Sequence, residues 1–245
     1  MAATELTLAS DLDGTLLGGS DDARVSLKRR FASRRRWRLI LASGRGLPNI
    51  VPLIEERRIP RPDFIIADLG ATVVHGSTLD PVQPLQDELA ERWPGAETVR
   101  WALRNFVELV PQTVPMSGRC SFLASRAALT KALRKAAGSV GCDVVFSNGK
   151  FLDIVASGVS KGSTLKELLS REGIDADSVV VAGDTLNDLS LFETCLKGIT
   201  VGNAERGLVK KVTRFAGNYI ARREGADGIL EGLRHHCFLN GSSRG

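Results

Sequence analysis

Short apolar runs that end in glycine or polar residues recur along this chain, and they constrain its fold more than any other feature. Residues 39–42, 64–67 and 179–182 are each four apolar residues long, and a less apolar run covers 6–9. Helix-like segments lie between the runs, at 25–35, 47–57, 163–171 and 187–195. Buried strands that alternate with helices are typical of a parallel sheet covered on both faces. The sequence therefore predicts an α/β fold.

The middle of the chain has a different pattern. Residues 77–155 begin with three prolines and two amphipathic helical stretches. A strand-like segment follows at 120–124, a helical segment at 126–137, and two further strand-like segments at 143–146 and 151–155. Asn148-Gly149 separates the last two segments and is a strong hairpin-turn signal. We predict that 77–155 form an inserted, smaller α+β domain, and that 1–76 and 156–245 form the core.

Composition narrows the partners and the compartment. The 33 basic and 28 acidic side chains give a net charge of +5, which favours anionic partners in general. The chain has no run of 18 apolar residues and no signal-peptide pattern, so we expect no membrane partner. Its four cysteines form no CxxC pair and are interpreted as reduced thiols of a cytoplasmic protein. Nothing in the sequence decides between a monomer and a homodimer.

Two carboxylates follow the first predicted strand. Asp11 and Asp13 lie in the run DLDGT, and side chains two residues apart in an extended segment point the same way. Such carboxylates repel each other unless a cation or a proton lies between them. A hard, oxygen-binding metal such as Mg²⁺ fits the pair, and an aspartate-rich turn without a metal is the alternative.

Three further polar groups follow predicted strands or begin a helix. They are Asp184 and Asp188 in the run GDTLND after residues 179–182, Lys161 at a helix start, and Ser43 in the run SGR after residues 39–42. Each alone reads equally as a helix cap, a surface lysine or a turn. Carboxyl ends of parallel strands meet at one edge of a sheet, so we expect the groups to converge. Together they would supply metal ligands, a nucleophile, an acid/base and a charge clamp for phosphoryl transfer.

In the order and character of these four motifs the sequence resembles the haloacid dehalogenase superfamily of phosphatases. The long gap between Ser43 and Lys161 is similar to that of members with a class-two cap of subtype B. Residues 62–72 and 147–154 resemble the sucrose-phosphate phosphatase branch, which is related to the Cof-like sugar phosphatases. The resemblance implies a Rossmann-like core with an inserted α+β cap that determines substrate specificity.

The resemblance also implies roles for the acidic residues. Asp11 would attack phosphorus and form an aspartyl-phosphate, and Asp13 would protonate the leaving oxygen and then activate water. Mg²⁺ would be held by the Asp11 carboxylate, the backbone carbonyl of Asp13 and Asp184. Asp188 would position the waters of the metal, with Asn187 beside it.

Ser43 and Lys161 would bind phosphoryl oxygens, by the same resemblance. The remaining candidates for substrate binding are Gly44, Arg45, Asn148, Lys150 and Asn187. Arg45 either touches substrate or forms a local ion pair, and residues 148–150 either reach the sugar or form a plain turn. The implied function is a Mg²⁺-dependent phosphatase acting on a sugar phosphate. Disaccharide or glycoside phosphates, such as sucrose 6-phosphate or a glycosyl-glycerate phosphate, are the candidate substrates.

Two alternative functions have their own sequence features. The run GVSKG around Ser160 matches a serine nucleophile elbow, and Asp184 and His235 follow in the order of an esterase triad. Residues 28–38 are rich in lysine and arginine, as in a face that follows nucleic-acid phosphates. Such a run is more often a solvated helix face, with Phe31 and Trp37 packed on the sheet.

Overall fold

The computed structural model describes residues 5–33, 37–115 and 118–239. In chain order its strands are β1 (Leu6–Ser10), β2 (Trp37–Ala42), β3 (Phe64–Ala67), β4 (Thr72–His75), β5 (Val110–Gln112), β6 (Arg119–Leu123), β7 (Cys142–Ser147), β8 (Phe151–Ala156), β9 (Val179–Gly183), β10 (Lys197–Thr200) and β11 (Asn218–Ile220). Its α-helices are α1 (Asp21–Ser33), α2 (Val51–Glu55), α3 (Leu85–Glu91), α4 (Ala96–Ala102), α5 (Lys131–Gly138), α6 (Lys161–Arg171), α7 (Leu189–Phe192), α8 (Arg206–Val212) and α9 (Gly225–His235).

The core is a seven-stranded sheet in the order β11-β10-β9-β1-β2-β3-β4. Every neighbouring pair in it is parallel except β3 and β4, which are antiparallel. β1 lies in the centre, between β9 on one side and β2 on the other. The predicted α/β fold with a parallel-sheet core is confirmed.

Both faces of this sheet are covered by helices, which is why its strands are continuously apolar. Leu8 of β1 packs in the same buried cluster as Leu27 of α1, on one face. Val181 of β9 packs in a second cluster with Leu165 of α6, on the opposite face. Successive strand residues thus alternate between two apolar layers, as the twofold side-chain period requires.

A second, antiparallel sheet in the order β5-β6-β8-β7 forms the core of the cap. Phe122 of β6 and Leu152 of β8 are buried in a cluster of their own with Leu133 of α5. The turn between β7 and β8 contains Asn148 and Gly149, whose φ angles are 50° and 66°. Two positive φ angles are what a tight hairpin turn of the Asn-Gly type needs.

Helix α3 packs on the core rather than on the cap. Leu85 and Leu89 lie in the same buried cluster as Val73 of β4 and Leu168 of α6. The predicted insert begins at residue 77, before this helix. We therefore propose that the cap begins after α3 and that α3 belongs to the core.

Helix limits differ from those predicted because of local capping and proline. The helix expected at 163–171 begins at Lys161, since the Ser160 side chain accepts a hydrogen bond from the Ser163 N–H and the Ser163 Oγ accepts one from the Ser160 N–H. The segment 47–57 contains two prolines and divides into a 3₁₀ turn and the short α2. In the described part of the chain, no helix combines the length and apolar character needed to cross a bilayer.

The close packing of α6 on α7 can be tested at Gly162. An added Cβ there would lie 1.9 Å from the backbone oxygen of Ser190. We expect Gly162→Ala to lower the free energy of unfolding by about 1–3 kcal/mol, because backbone atoms must move apart. Urea denaturation measures the change.

Gly138 provides the matched control, since it is also helical and an added Cβ would meet nothing within 4 Å. Gly138→Ala should leave the free energy of unfolding unchanged or raise it by up to about 1 kcal/mol. A Gly162→Ala protein as stable as the unmodified chain would contradict the packing described for α6.

Candidate active site

The carboxyl ends of the three central strands bring the predicted groups together. Asp11 directly follows β1, and its N–H donates a hydrogen bond to the carbonyl of Ala182 in β9 at 2.9 Å. Ser43 directly follows β2, and Asp184 directly follows β9. The strands on either side of β1 therefore deliver their terminal residues to one edge of the sheet, where ligands bind in open α/β folds.

Lys161, the first residue of α6, reaches this edge with its side chain fully buried. Its Nζ lies 2.7 Å from Asp11 Oδ1, 2.6 Å from Asp188 Oδ1 and 3.0 Å from Asn187 Oδ1. Burial alone lowers the pKa of Lys161, but Asp11 and Asp188 outweigh it, so the net effect is a raised pKa. The side chain therefore stays a charged ammonium, which is tolerated in the interior because it is paired.

Asp188 is held through both of its carboxylate oxygens. While Oδ1 contacts Lys161, Oδ2 accepts the backbone N–H groups of Asp184 and Thr185, each at 3.0 Å. The carboxylate thus fixes the loop that follows β9. It also explains why this residue lies one turn after Asp184: that spacing lets the side chain fold back onto the loop backbone.

The acidic group fits a hard divalent cation. Carboxylate oxygens of Asp11, Asp184 and Asp188 all lie within 4.8 Å of one another, and the Lys161 ammonium balances only part of their charge. Burial, and next the charge of Asp188, raise the pKa of Asp184 to about 7. Excess negative charge among oxygen donors is the environment that Mg²⁺ prefers in proteins.

Gly14 allows Asp184 to approach the loop after β1. Its φ is +76°, and an added Cβ would lie 2.2 Å from Asp184 Oδ2. Asn203 braces the same loop, because its Nδ2 donates to the Gly14 carbonyl and its Oδ1 accepts the Gly225 N–H, each at 2.9 Å. A side chain at position 14 would push Asp184 away from the loop that carries Asp11.

Asp13 does not point into the acidic group. It is exposed, and Arg45 binds it with two hydrogen bonds, Nε to Oδ2 at 2.7 Å and Nη2 to Oδ1 at 2.6 Å. Both residues line the cavity described below. Of the four predicted metal residues, Asp11, Asp184 and Asp188 therefore have their carboxylates together, whereas the Asp13 carboxylate binds Arg45 at the wall of the cavity.

Ser43 is buried behind this wall. Its Oγ accepts the backbone N–H of Arg45 at 3.1 Å, and it is not among the described residues that line the cavity. No described residue accepts its hydroxyl hydrogen. Gly44 does line the cavity, so the loop after β2 presents backbone there.

A cavity of about 570 Å³ lies between the sheet edge and the cap. Asn148 and Asn187 line it from the cap hairpin and the core respectively. The Asn148 N–H donates to Glu205 Oε1 at 2.8 Å, which ties the hairpin to the core. Lys150 is not among the described lining residues; its Nζ lies 5.0 Å from the ring centroid of Phe151.

Sequence reasoning missed the residues that the cap contributes, above all Arg119. Its Nε donates to Asp68 Oδ1 at 3.0 Å and its Nη2 to the Gly44 carbonyl at 2.8 Å, so it joins the cap to the core. Its Nη1 donates to Ser121 and Asp153 within the cap sheet. No sequence motif marks Arg119, because a lone arginine at a strand start has no diagnostic spacing.

The nucleophile-elbow interpretation of Ser160 finds no support in the contacts of this residue. Its Oγ caps α6 by accepting the Ser163 N–H at 3.1 Å. His235 stacks on Tyr219 with ring centroids 4.2 Å apart, and His236 contacts the Gly198 carbonyl. No described histidine hydrogen-bonds to Ser160.

Part of the basic run falls outside the described residues, namely 34–36. Of the rest, Trp37 is buried and packs edge-on against Phe31 with centroids 5.4 Å apart. Lys28 donates a hydrogen bond to the Arg57 carbonyl. These contacts are those of a helix packed on a sheet.

Comparison with known proteins places the chain in a family. It matches the family model of sucrose-6F-phosphate phosphohydrolase over residues 4–237. It is 42% identical to a glucosylglycerol-phosphate synthase of Pseudomonas anguilliseptica, a match covering 96% of this chain and 31% of that protein. It is 29% identical to a mannosylfructose-phosphate phosphatase of Agrobacterium fabrum, a match covering 93% and 95% of the two chains.

Solved structures agree with this assignment. The sucrose-phosphatase of Synechocystis sp. PCC6803, solved with sucrose and phosphate, superposes with a TM-score of 0.84 at 27% identity, covering 97% of this chain and 100% of that one. A haloacid dehalogenase subclass IIB sugar phosphatase shares the fold, with a TM-score of 0.68 at 16% identity, covering 96% of this chain and 100% of that one. The chain spans about a third of the synthase but nearly all of the two phosphatases. The protein therefore belongs to the sucrose-6F-phosphate phosphohydrolase family of the haloacid dehalogenase superfamily.

Proposed function

We propose that the protein is a Mg²⁺-dependent phosphatase that hydrolyses the phosphate monoester of a sugar, disaccharide or glycoside. The observation that carries the proposal is the buried Lys161 ammonium between Asp11 and Asp188, in an acidic cluster whose members Asp11 and Asp184 line a cavity. A structural ion pair needs no cavity and no surplus of carboxylates. Both are needed by a site that transfers a phosphoryl group.

Asp11 is the proposed nucleophile. Lys161 holds Oδ1, and attack by Oδ2 on phosphorus forms an aspartyl-phosphate while the bond from phosphorus to the sugar oxygen breaks. An ionised aspartate needs no general base to be a nucleophile at neutral pH. Burial, and next the charge of Asp188, raise the pKa of Asp11, and the contact with Lys161 opposes that rise and fixes the direction of the carboxylate.

Asp13 is the proposed acid and then base. In its protonated form it gives a proton to the leaving sugar oxygen, which departs as an alcohol. In the second step the Asp13 carboxylate takes a proton from water, whose oxygen attacks phosphorus and releases phosphate from Asp11. The paired hydrogen bonds from Arg45 hold this carboxylate at the cavity wall, two residues from the nucleophile.

The metal would be held by the carboxylates of Asp11 and Asp184 and by the backbone carbonyl of Asp13, with Asp188 nearby. When bound, Mg²⁺ neutralises charge on the transferring phosphoryl group. Lys161 and the Ser43 hydroxyl are proposed to bind phosphoryl oxygens, and the Ser43 hydroxyl hydrogen is available because no described residue accepts it.

The cavity has the volume of a sugar-sized to disaccharide-sized ligand. Relatives are named for glucosylglycerol phosphate, mannosylfructose phosphate and sucrose phosphate, which are all glycosides carrying one phosphate. Gly44, Arg45, Asn148 and Asn187 are proposed to contact this substrate, and Lys150 would have to leave the Phe151 ring to do so. The cytoplasmic location, the absence of a nucleic-acid partner and the choice between monomer and homodimer stay predictions.

Replacing the nucleophile tests the proposed chemistry. Phosphate release should be measured over hexose, disaccharide and glycosyl-glycerol phosphates, with and without Mg²⁺. We expect activity on at least one of them to require Mg²⁺ and Asp11→Asn to lower kcat roughly a thousandfold or more, because an amide cannot form the acyl phosphate.

Ser160→Ala is the control that separates this chemistry from that of a serine esterase. It should retain the phosphatase activity while losing about 1 kcal/mol of stability with the helix cap. Asp11→Asn turning over at the wild-type rate, or Ser160→Ala without activity in a folded protein, would refute the nucleophile assignment.

Removing the charge of Asp184 tests the metal site without an activity assay. Because burial raises the pKa of this carboxyl to about 7, its ionised form destabilises the metal-free fold as pH rises through that value. At pH 8 without metal, Asp184→Asn should therefore have a higher Tm than the unmodified protein. Mg²⁺ at about a hundred times its Kd should stabilise the unmodified protein by about 2.7 kcal/mol and leave Asp184→Asn unchanged.

Asp177→Asn is the matched control, since Asp177 is exposed and lies at the opposite end of β9. It should respond to Mg²⁺ like the unmodified protein. An equal thermal response of Asp184→Asn and Asp177→Asn would show that Asp184 holds no metal.

A further inference from the structure

The outer end of the cavity is formed by one face of the cap sheet. Arg119 and Ser121 of β6 and Asp153 of β8 lie on this face, and Ser121 and Asp153 are direct partners in the strand register. Gln112 of β5 is the register partner of Ser121 on the other side. The opposite face packs on α4 and α5, so these polar residues are turned to whatever occupies the cavity.

Every basic side chain among the described residues that line the cavity already binds a carboxylate of the protein. Among the described lining residues only Arg45 and Arg119 are basic. Arg45 is bound by Asp13 through two hydrogen bonds. All three nitrogens of the Arg119 guanidinium donate within the protein, to Asp68, to the Gly44 carbonyl and to the Ser121–Asp153 pair.

Asp153 gives the outer end of the cavity a negatively charged hydrogen-bond acceptor. Arg119 and Ser121 both bond to its Oδ1, and no described residue bonds to its Oδ2. The neighbouring lining side chains of Gln112, Ser147 and Asn148 are neutral amides and hydroxyls. A sugar hydroxyl can donate to Asp153 Oδ2, whereas a carboxylate would meet a like charge with no free cation beside it.

We propose that Asp153 makes the cavity selective for phosphate esters whose alcohol is uncharged and polyhydroxylated, and that it excludes esters whose alcohol carries a carboxylate. This inference rests on the proposed phosphatase function. Asp153 acts in two ways, because it occupies Arg119 and it adds its own negative charge. A buried site built for hydroxyls discriminates strongly, since a mismatched charge there is neither solvated nor paired.

Two pairs of substrates that differ only by CH₂OH against COO⁻ test the selectivity. They are 2-O-glucosylglycerol 3-phosphate with 2-O-glucosylglycerate 3-phosphate, and glucose 1-phosphate with glucuronic acid 1-phosphate. We expect kcat/KM for the uncharged member to exceed that for the acidic member at least about tenfold, mostly through KM, in any pair that is hydrolysed.

Two substitutions assign the effect to this face of the cap. Asp153→Asn should lower the ratio of kcat/KM for the uncharged member to kcat/KM for the acidic member at least about threefold, because kcat/KM for the acidic member rises. Gln112→Lys should do the same by adding a free ammonium, and it keeps the test open if Asp153→Asn folds poorly. Glu97→Gln is the control, because it removes one negative charge from the exposed first turn of α4 in the cap and should leave the ratio unchanged.

The outcomes are distinct. Equal hydrolysis of both members by the unmodified protein, or a ratio that neither Asp153→Asn nor Gln112→Lys changes, overturns the role of Asp153. Hydrolysis of the acidic members alone, or of p-nitrophenyl phosphate with none of the glycosyl phosphates, overturns the inferred substrate class. No hydrolysis of any phosphate ester, p-nitrophenyl phosphate included, means that the proposed phosphatase function itself is wrong.

Discussion

The pairing of the buried Lys161 ammonium is the interaction on which the site depends. An unpaired ion in the interior costs several kcal/mol, so Asp11 and Asp188 must both be in place when α6 packs on the sheet. Asp11 comes from β1 and Asp188 from the loop after β9, so three distant chain segments are fixed by one charge. Yet the third carboxylate, Asp184, leaves the cluster with more negative charge than Lys161 can balance. A fold selected for stability alone has no use for that surplus, which is why we propose that it holds a divalent cation.

Sheet topology explains why these segments meet. With β1 at the centre, the connections from β1 and β9 leave a crevice at their carboxyl ends, and the terminal residues of both strands enter it. The chain that returns from the cap, between β8 and α6, reaches the same end of the sheet. Gly70, which precedes β4, lies against the backbone of Ser160: an added Cβ would be 2.4 Å from the Ser160 carbonyl carbon, and Thr164 donates to the Gly70 carbonyl at 2.8 Å. The first turn of α6, and Lys161 with it, is thereby positioned by the chain that leads into the cap.

The sequence was sufficient to predict the central strands, because β2, β3 and β9 are buried on both faces and read as continuous apolar runs. It was not sufficient for the outer strands β4, β10 and β11, which are only three or four residues long and contain polar residues or glycine. Among candidate site residues, Asp11, Asp184, Asp188 and Lys161 stood out because each follows an apolar run or begins a helix. Arg119 and Asp153 did not, since they are 34 positions apart and are brought together by the register of β6 with β8, which follows from no local pattern.

Arg119 links the position of the cap to the chemistry below it. Its bonds to Asp68 and to the Gly44 carbonyl cross from the cap to the core, next to the loop that carries Ser43 and Arg45. Those bonds exist only while the cap lies over the cavity, so the arrangement that excludes water from the phosphoryl group is also the one in which Arg119 is fully occupied. A cap displaced from the core would leave Arg119 only its partners within the cap sheet, Ser121 and Asp153. Because the same contacts join the cap to the core and occupy Arg119, the proposed charge preference belongs to the arrangement in which the cap lies over the cavity.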